Sequence, residues 1–291
     1  LTRPAPFPRV QRKHFRDTKE SLPMTSTESE PAPVLYERRG PIGILTLNRP
    51  ETLNAMNAGM VDALCTIVKE LDVDPDGKVL VLTAAGKGFC SGMDVGDMGT
   101  DATARRSPIV WPRPRPDRQA PTVFREANIP IIAAINGVAA GAGMSLALGA
   151  DIRIMSDQAR FYPIFLKRGL MPDMGLSFTL TKLVGSQKAL ELIWNADPID
   201  PQECLRLGLV NKIVPHDKLM DTAMEWAERL ASGPSMAIAL AKRSVYRAES
   251  GTLESELEFG SFSQQRLMGS QDFAEGYRSF IEKRPPRFKG E

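Results

Sequence analysis

The chain has 291 residues, of which 42% are hydrophobic and 25% are charged. This balance is typical of an ordinary globular protein, and the length is roughly that of two average domains. Thirty-seven lysines and arginines face 35 aspartates and glutamates, so the net charge is only +2. Such a charge does not favour a nucleic-acid partner or electrostatic binding to a membrane surface.

Cysteine and histidine are scarce, which argues against several kinds of site. Cys65, Cys90 and Cys204 are far apart and form no CxxC pair, so neither a disulfide framework nor a structural zinc site is expected. A reducing compartment fits this pattern, and we expect the protein in the cytoplasm. Of the two histidines, His14 lies in the N-terminal tail. We therefore expect no metal centre and no serine–histidine–aspartate triad.

Residues 1–33 are predicted to form a disordered tail, because they are rich in proline, arginine, serine and glutamate and show no sustained apolar period. Their basic stretch is typical of a transit peptide, but the acidic residues among them are not. The chain begins with Leu1, and Met24 stands shortly before the first strand-like segment. We interpret residues 1–23 as an over-extended reading frame or added residues rather than a targeting signal.

Strands and helices then alternate. The runs 42–48 and 78–83 are rich in leucine and β-branched residues and end in turn residues, which predicts two strands. Between them, apolar residues fall at helical spacing from Met60 to Leu71, so the three segments predict a β-α-β unit. Residues 99–121 contain several prolines and no period of either kind. They are predicted to form a surface loop or lid inserted in the fold.

No charged residue occurs over 127–150, a length that could span a bilayer. Proline, asparagine and glycine interrupt this run, however, and its apolar content is mainly alanine and isoleucine. It is therefore predicted to be buried in a globular core, as a strand over Ile131–Ile135, a tight turn at Asn136 and Gly137, and a helix from about Gly141. We expect no membrane partner.

Two further strands are predicted over 151–155 and 209–214, with a short capped helix over 200–208. After residue 217 helical periods dominate. The predicted fold class is α/β, with a core over 34–216 and a C-terminal helical module over 217–291.

Two glycine-bearing turns follow two of the predicted strands. The first covers 86–94, and the second covers 136–143 and leads from a strand into a helix. Glycine lets a ligand approach the backbone closely, and a helix N-terminus presents unpaired N–H groups with a partial positive charge. Two such turns facing one another would bind an oxyanion.

Two other interpretations of the second turn remain open. Gly141-x-Gly143 could begin a dinucleotide-binding turn, but Leu146 occupies the third glycine position and the glycines come late after the strand. The glycines could also serve only to let helix and strand pack closely.

Six motifs in register resemble the enoyl-CoA hydratase/isomerase (crotonase) superfamily, and together they cover residues 34–290. The motifs are LNRP (47–50) with LNAM (53–56), GFCSGMD (88–94), AING (134–137) with GAG (141–143), DIR (151–153), GLMP (169–172) and FIEKRPP (280–286). The resemblance implies a crotonase-like spiral of ββα repeats with a helical C-terminal oligomerisation module. It also implies a homotrimer or dimer of trimers and an acyl-CoA thioester as substrate, so that coenzyme A enters with the substrate and no separate cofactor is expected.

In such proteins two backbone N–H groups bind the thioester oxygen, and residue by residue these are the amides of Met93 and Ala142. Fixed N–H dipoles of this kind stabilise an enolate by about 3 kcal/mol for each donor. The resemblance implies further substrate contacts at Ala55, Met56, Asp94, Val95, Gly141, Ser145, Phe165, Pro172 and Lys283. For two of these an alternative stays open: Asp94 could only fix its own turn, and Lys283 could be a solvated lysine.

Hydratases that this chain resembles use two glutamates, because syn addition of water needs an acid and a base. Here the corresponding positions hold Ser145 and Phe165, neither of which can act as a base near neutral pH. Asp173 aligns with the aspartate that carries the proton in dienoyl-CoA and ring-epoxide isomerases, and with a nucleophilic aspartate in chlorobenzoyl-CoA dehalogenases. Its apolar neighbours Met171 and Met174 are expected to raise its pKa. Alternatively, Asp173 only caps the helix that opens near Gly175.

Three functions follow from this acid pattern. A single carboxylate is enough to shift a double bond, so the favoured hypothesis is an enoyl-CoA isomerase in which Asp173 carries the proton. The alternatives are an enoyl-CoA hydratase of fatty-acid β-oxidation, with water held by Ser145 and Asp173, and a non-catalytic acyl-CoA binder. Cys90 is interpreted as a packed residue rather than a nucleophile.

Overall fold

The computed structural model describes residues 32–94 and 119–291. Residues 1–31 of the predicted tail over 1–33, most of the predicted loop over 99–121, and Val95 lie outside these residues.

Strands and helices occur in both of the described ranges. The strands are β1 (Val34–Arg39), β2 (Ile42–Leu47), β3 (Val79–Ala84), β4 (Gly88–Cys90), β5 (Ile131–Ile135), β6 (Val138–Ala140), β7 (Ile152–Ser156), β8 (Arg160–Tyr162) and β9 (Lys212–Val214). The helices are α1 (Ala58–Val73), α2 (Ala120–Glu126), α3 (Ala142–Gly149), α4 (Leu176–Asn195), α5 (Pro201–Arg206), α6 (Leu219–Ala231), α7 (Ser235–Ala248), α8 (Leu253–Met268) and α9 (Gln271–Glu282).

Six strands form the main sheet in the order β1-β2-β3-β5-β7-β9. The β1–β2 pair is antiparallel and the other pairs are parallel. Every residue of β3 and β5 is buried, because helices cover both faces of the sheet, and this explains why these strands are continuous apolar runs. On one face α1 contributes Met60, Leu64 and Val68 to the core, and on the other face α6 contributes Leu219 and Ala223.

A second sheet of three short parallel strands, β4-β6-β8, lies beside the first. Gly88 pairs with Val138 and Cys90 pairs with Ala139. Each strand has only three residues, so none carries a period that a sequence pattern can reveal. This small sheet was not predicted, and it holds both glycine-bearing turns.

The larger predicted elements agree with the structure. The segments predicted as strands over 42–48, 78–83 and 151–155 are β2, β3 and β7 to within one or two residues, and Ile131–Ile135 is β5. The last predicted strand, over 209–214, is shorter than expected, since β9 begins at Lys212. Helices dominate after residue 219, but α6 packs on the main sheet. The domain boundary at residue 216 stays a prediction.

One boundary of the predicted loop over 99–121 was wrong. Ala120 and Pro121 are buried in the first turn of α2. Proline is well tolerated at this position, because the first amides of a helix have no intrahelical acceptor. The apolar run over 127–150 is divided between β5, β6 and α3, and within the part of the chain that the structure describes no helix is long and apolar enough to cross a bilayer.

Asn54 ties three backbone segments together beneath the small sheet. Its side chain is fully buried. Its Oδ1 accepts a hydrogen bond from the N–H of Arg49 at 2.8 Å, and its Nδ2 donates to the carbonyl oxygens of Ala85 and Gly88, both at 2.8 Å. Both N–H groups of the side-chain amide and one acceptor site of its oxygen are therefore used. The backbone of Asn54 adopts a left-handed conformation with φ 57°.

We expect Asn54→Ala to lower the free energy of unfolding by about 3 kcal/mol, because it removes three hydrogen bonds and leaves buried groups unpaired. The matched control is Asn57→Ala, which removes a single helix cap to the N–H of Met60 and should cost about 1 kcal/mol. Urea denaturation measures both. Equal losses in the two variants would contradict the central role of Asn54.

Candidate active site

Pairing of β4 with β6 brings the two glycine-bearing turns into contact. A Cβ built on Gly137 would lie 2.0 Å from the carbonyl oxygen of Lys87, and one on Gly143 would lie 2.2 Å from the carbonyl oxygen of Cys90. Real Cβ atoms do not approach other atoms so closely, so only glycine fits at either position. The glycines therefore serve close backbone packing and, at the same time, bring the ends of the two turns together.

The amide of Met93 is oriented by a bridge to Met56. The N–H of Met56 donates to the carbonyl of Gly92, and the N–H of Asp94 donates to the carbonyl of Met56, both at 2.8 Å. Because successive peptide groups of an extended chain point to opposite sides, the N–H of Met93 points away from Met56. The second turn lies close by: a Cβ on Gly92 would be 3.7 Å from the nitrogen of Ala142.

The amide of Ala142 is the first of helix α3, and the turn before it is fixed. The N–H of Gly141 donates to the carbonyl of Tyr162 at 2.9 Å, and the N–H of Ser145 donates to the carbonyl of Gly141 at 3.1 Å. Gly141 has φ 52° and ψ −123°, a backbone conformation that favours glycine. The first amides of a helix have no intrahelical acceptor, and they carry the positive end of its dipole.

Both amides are available for an acceptor from outside the chain. Within residues 32–94 and 119–291, no acceptor contacts the N–H of Met93 or that of Ala142. Ala142 is almost fully buried, and a buried N–H group without a partner is unusual in a folded protein. The structure thus brings together the two turns on which the predicted oxyanion hole depends.

Arg49 supports the first turn, although it was not predicted to be a site residue. Its Nη1 donates to the carboxylate of Asp94 at 2.8 Å and to the carbonyl of Ala55 at 2.7 Å. Asp94 is therefore held in an ion pair with Arg49, and its contact with a substrate stays a prediction. Arg49 and Asp94 are 45 residues apart, and nothing in their spacing indicates that they meet.

The positions of both absent glutamates lie next to Gly141. The hydroxyl of the buried Ser145 donates to the main-chain carbonyl of Asp173 at 3.1 Å and lies 3.4 Å from that of Gly141. The ring of Phe165 is also buried, and its edge is 3.8 Å from where a Cβ on Gly141 would lie. The sequence placed all four of these residues in the site, and the structure brings them together.

The carboxyl of Asp173 does not cap helix α4. The cap residue of that helix is Gly175, with no side-chain hydrogen bond, and it is the main-chain carbonyl of Asp173 that accepts from the N–H of Leu176, at 3.0 Å. Within the described chain, the only hydrogen bond that its carboxyl receives comes from its own N–H. Loss of hydration raises the pKa of Asp173, and this hydrogen bond opposes the rise only in part.

Pro172 and Lys283 are two further residues that were predicted to contact the substrate. Pro172 is half-buried beside Asp173. Lys283 is exposed at the C-terminal end of α9, where its N–H donates to the carbonyl of Phe280. No ion pair joins its side chain to another residue that the structure describes. Its contact with a phosphate stays a prediction.

Comparison with known proteins now identifies the family. The family model described as Enoyl-CoA hydratase/isomerase matches residues 37–291. The chain belongs to the enoyl-CoA hydratase/isomerase family. This confirms the resemblance that the six motifs carried.

Individual members are similar over most of their length. The 1,2-epoxyphenylacetyl-CoA isomerase of Escherichia coli (strain K12) is 38% identical over 256 residues, covering 84% of this chain and 94% of that relative. The short-chain-enoyl-CoA hydratase of Clostridium acetobutylicum is 34% identical over 257 residues, covering 86% and 95%. A crystal structure of an enoyl-CoA hydratase subunit from Geobacillus kaustophilus HTA426 matches with a TM-score of 0.82 and 35% identity, over 90% of this chain and 100% of the other. The predicted crotonase fold is thus confirmed, and the relatives carry the names of two reactions.

Other reactive groups in this family member do not form a competing centre. Burial raises the pKa of the Cys90 thiol to about 12, so it is not a thiolate nucleophile. Ser156 contacts His216 at 3.1 Å, but the nearby Asp157 approaches the serine rather than the imidazole, which is not the arrangement of a catalytic triad. Among the described residues no cluster of three metal-ligating side chains occurs.

We expect Gly92→Ala to weaken binding of acetyl-CoA at least about tenfold, because the new methyl group would intrude between the two amides. It would lie 3.2 Å from the carbonyl oxygen of Ala140 and 3.7 Å from the nitrogen of Ala142, at φ 108°. The matched control is Gly208→Ala, which also has a positive φ, 71°, but open space around it. Calorimetric titration of both variants, with circular dichroism to check folding, tests this. Unchanged affinity in folded Gly92→Ala would be evidence against the site.

Proposed function

We propose that this family member isomerises an unsaturated or cyclic acyl-CoA thioester through an enolate, with Asp173 as the single proton carrier. Three features support the proposal. Two unpaired amides occur on adjacent turns, the main chain of Asp173 lies against Ser145 and its carboxyl has a raised pKa, and neither Ser145 nor Phe165 can act as a second acid or base. A relative at 38% identity is named an isomerase.

Each step of the proposed reaction has a group in the chain to perform it. The ionised carboxylate of Asp173 removes a proton from a carbon of the acyl group, and the electron pair of the broken C–H bond moves toward the thioester oxygen. The amides of Met93 and Ala142 stabilise the resulting negative charge, each by about 3 kcal/mol. The carboxylic acid then returns the proton to a different carbon, so the double bond moves and the composition of the substrate stays the same.

The observation that carries the proposal is the hydrogen bond from Ser145 to the main chain of Asp173. It joins the first turn of α3, which begins with the Ala142 amide, to the segment that bears the carboxylate. The proposed proton carrier and one proposed oxyanion donor therefore lie on two segments that a single hydrogen bond joins. Asp94, the other predicted acid, is already paired with Arg49 and is not free to carry a proton.

Hydration is the second candidate, because a relative at 34% identity is named a hydratase. Water addition needs one group to deprotonate water and another to protonate carbon. Ser145 donates its hydroxyl proton to the carbonyl of Asp173, so the serine has no base to activate it. A non-catalytic acyl-CoA binder would use the same two amides, and turnover of any CoA ester separates it from both enzymes.

We also propose that the protein assembles as a homotrimer or a dimer of trimers. Large apolar side chains are exposed on the described helices, among them Trp194 at 65%, Phe262 at 70% and Phe280 at 82%. An apolar surface of this kind marks a contact with another chain. Three buried cysteines that form no disulfide within the described residues support a cytoplasmic location, where thiols stay reduced.

We expect Asp173→Asn to reduce isomerase turnover by about three orders of magnitude or more, since it removes the proton carrier but keeps the size of the side chain. Binding of acetyl-CoA should survive. The melting temperature should stay the same or rise, because the ionised carboxylate is partly desolvated in the folded protein. Turnover of a panel of enoyl-, dienoyl- and aryl-CoA esters, binding and melting are measured together.

The control for this variant is Asp221→Asn, an exposed position on α6, which should keep full activity. Full activity of Asp173→Asn would overturn the assigned role. Rapid hydration of crotonyl-CoA by the unmodified protein would favour the hydratase instead.

The pH dependence of kcat/KM should show an acidic limb that depends on Asp173. The carboxylate must be ionised to accept a proton, so activity falls as the pH drops through its pKa. Because partial desolvation raises the pKa of Asp173, this limb should lie at higher pH than the ordinary pKa of an aspartate. The residual activity of Asp173→Asn should lack the limb, and an unchanged profile would contradict the assignment.

A further inference from the structure

A cavity lies beside the C-terminal end of α3, whereas the Ala142 amide is at the N-terminal end of that helix. Its volume is about 390 Å³, within the range of small-molecule sites. The helix contributes Leu148, which follows Ala142 by six residues, or about 9 Å along the helix axis. Other apolar lining residues include Leu183, Trp226, Leu230 and Val245. None of the lining residues is one of the residues predicted to bind the thioester.

The charged residues around the cavity are mostly cationic. Four cationic side chains line it, against two carboxylates. The cations are Arg125, Arg153, Lys182 and Lys242, and the carboxylates are those of Asp151 and Glu249. An apolar space with surplus positive charge favours a ligand that combines an apolar body with an anionic group.

Two of these charged residues, Lys242 and Asp151, already bind one another and further groups of the chain. The Nζ of Lys242 donates to the carbonyls of Phe124 and Ile129 and to the carboxylate of Asp151, at 2.7, 2.9 and 2.7 Å. Asp151 also accepts from the hydroxyl of Tyr246 at 2.6 Å. A lysine has only three donors, so Lys242 has no donor left for a ligand.

The cations Arg125 and Lys182 do have donors to spare. Arg125 uses one N–H on the carboxylate of Glu249 at 2.7 Å, and Lys182 uses one on the main-chain carbonyl of Glu249 at 2.5 Å. Four further N–H groups remain on the guanidinium and two on the ammonium. Both cations lie over the ring of Phe178, at 5.2 and 5.7 Å from its centre. They therefore form a cationic rim beside an exposed aromatic ring.

We propose that this cavity binds a monocarboxylate with an apolar chain, separately from the acyl-CoA substrate. The carboxylate would lie between Arg125 and Lys182, and the chain would pack against Leu148, Leu183 and Val245. A guanidinium matches a carboxylate with two parallel hydrogen bonds, and the apolar interior takes the chain but not a second charge. This site goes beyond the proposed function and does not depend on it.

Calorimetric titration of the full chain with sodium octanoate and with 1-octanol tests the site. We expect octanoate to bind at least about tenfold more tightly than the alcohol. Saturating acetyl-CoA should leave this affinity unchanged, and so should Asp173→Asn. Equal binding of acid and alcohol, no octanoate binding, or displacement by acetyl-CoA would each overturn the proposal.

Two pairs of variants locate the binding in this cavity. Val245 lines the cavity but is 66% exposed, so Val245→Trp should fill the space without unfolding the chain and weaken octanoate at least about tenfold. Its control is Val73→Trp, at a residue that is 81% exposed on α1, which should have no effect.

For the charge, Lys182→Met should weaken octanoate about fivefold and leave octanol unchanged. Its control is Lys188→Met on the same helix, where the lysine pairs with Glu191. If Val245→Trp and Lys182→Met both bind octanoate like the unmodified protein, the ligand is elsewhere and the proposal is wrong.

Discussion

The carbonyl oxygen of Cys90 lies where a side chain on Gly143 would begin, and that contact sets the geometry of the whole site. It is possible only because β4 and β6 pair and both turns carry glycine. A methyl group at Gly143 would push the turns apart, and the amides of Met93 and Ala142 would separate with them. Close backbone packing therefore brings the two proposed donors together.

Fixed donors are effective because they need not reorganise when charge develops on the substrate. The Met93 amide is fixed through its neighbours, since Gly92 and Asp94 both bond to Met56. The side chains of Arg49 and Asn54 hold the same turn through the carboxylate of Asp94 and the carbonyl of Gly88. The Ala142 amide begins a helix that is buried along its whole length, where a low dielectric strengthens its interaction with an anion. The main chain of Asp173 is tied to this frame through Ser145, and its carboxyl is the proposed proton carrier.

The sequence could predict what local patterns determine. The period of α1, the apolar runs of β3 and β5 and the two glycine turns were all evident, because each depends on neighbouring residues. The three-residue strands of the small sheet were not, since they are too short to show a period. The contact between Arg49 and Asp94 and that between Ser145 and Asp173 join residues 45 and 28 apart, so only the folded chain reveals them. Pro121 was assigned to a loop for its proline, although the first turn of a helix accepts that residue equally well.

Burial of the thiols has a practical consequence for following motion in this protein. Cys90 and Cys204 are both inaccessible, and dehydration raises the pKa of each to about 12. A thiol reagent can therefore attack either sulfur only during a transient opening of the surrounding structure. Cys90 lies in β4, within the first glycine-bearing turn, whereas Cys204 lies in α5. The labelling rate at each of these residues would report how often the structure around it opens, without any introduced probe.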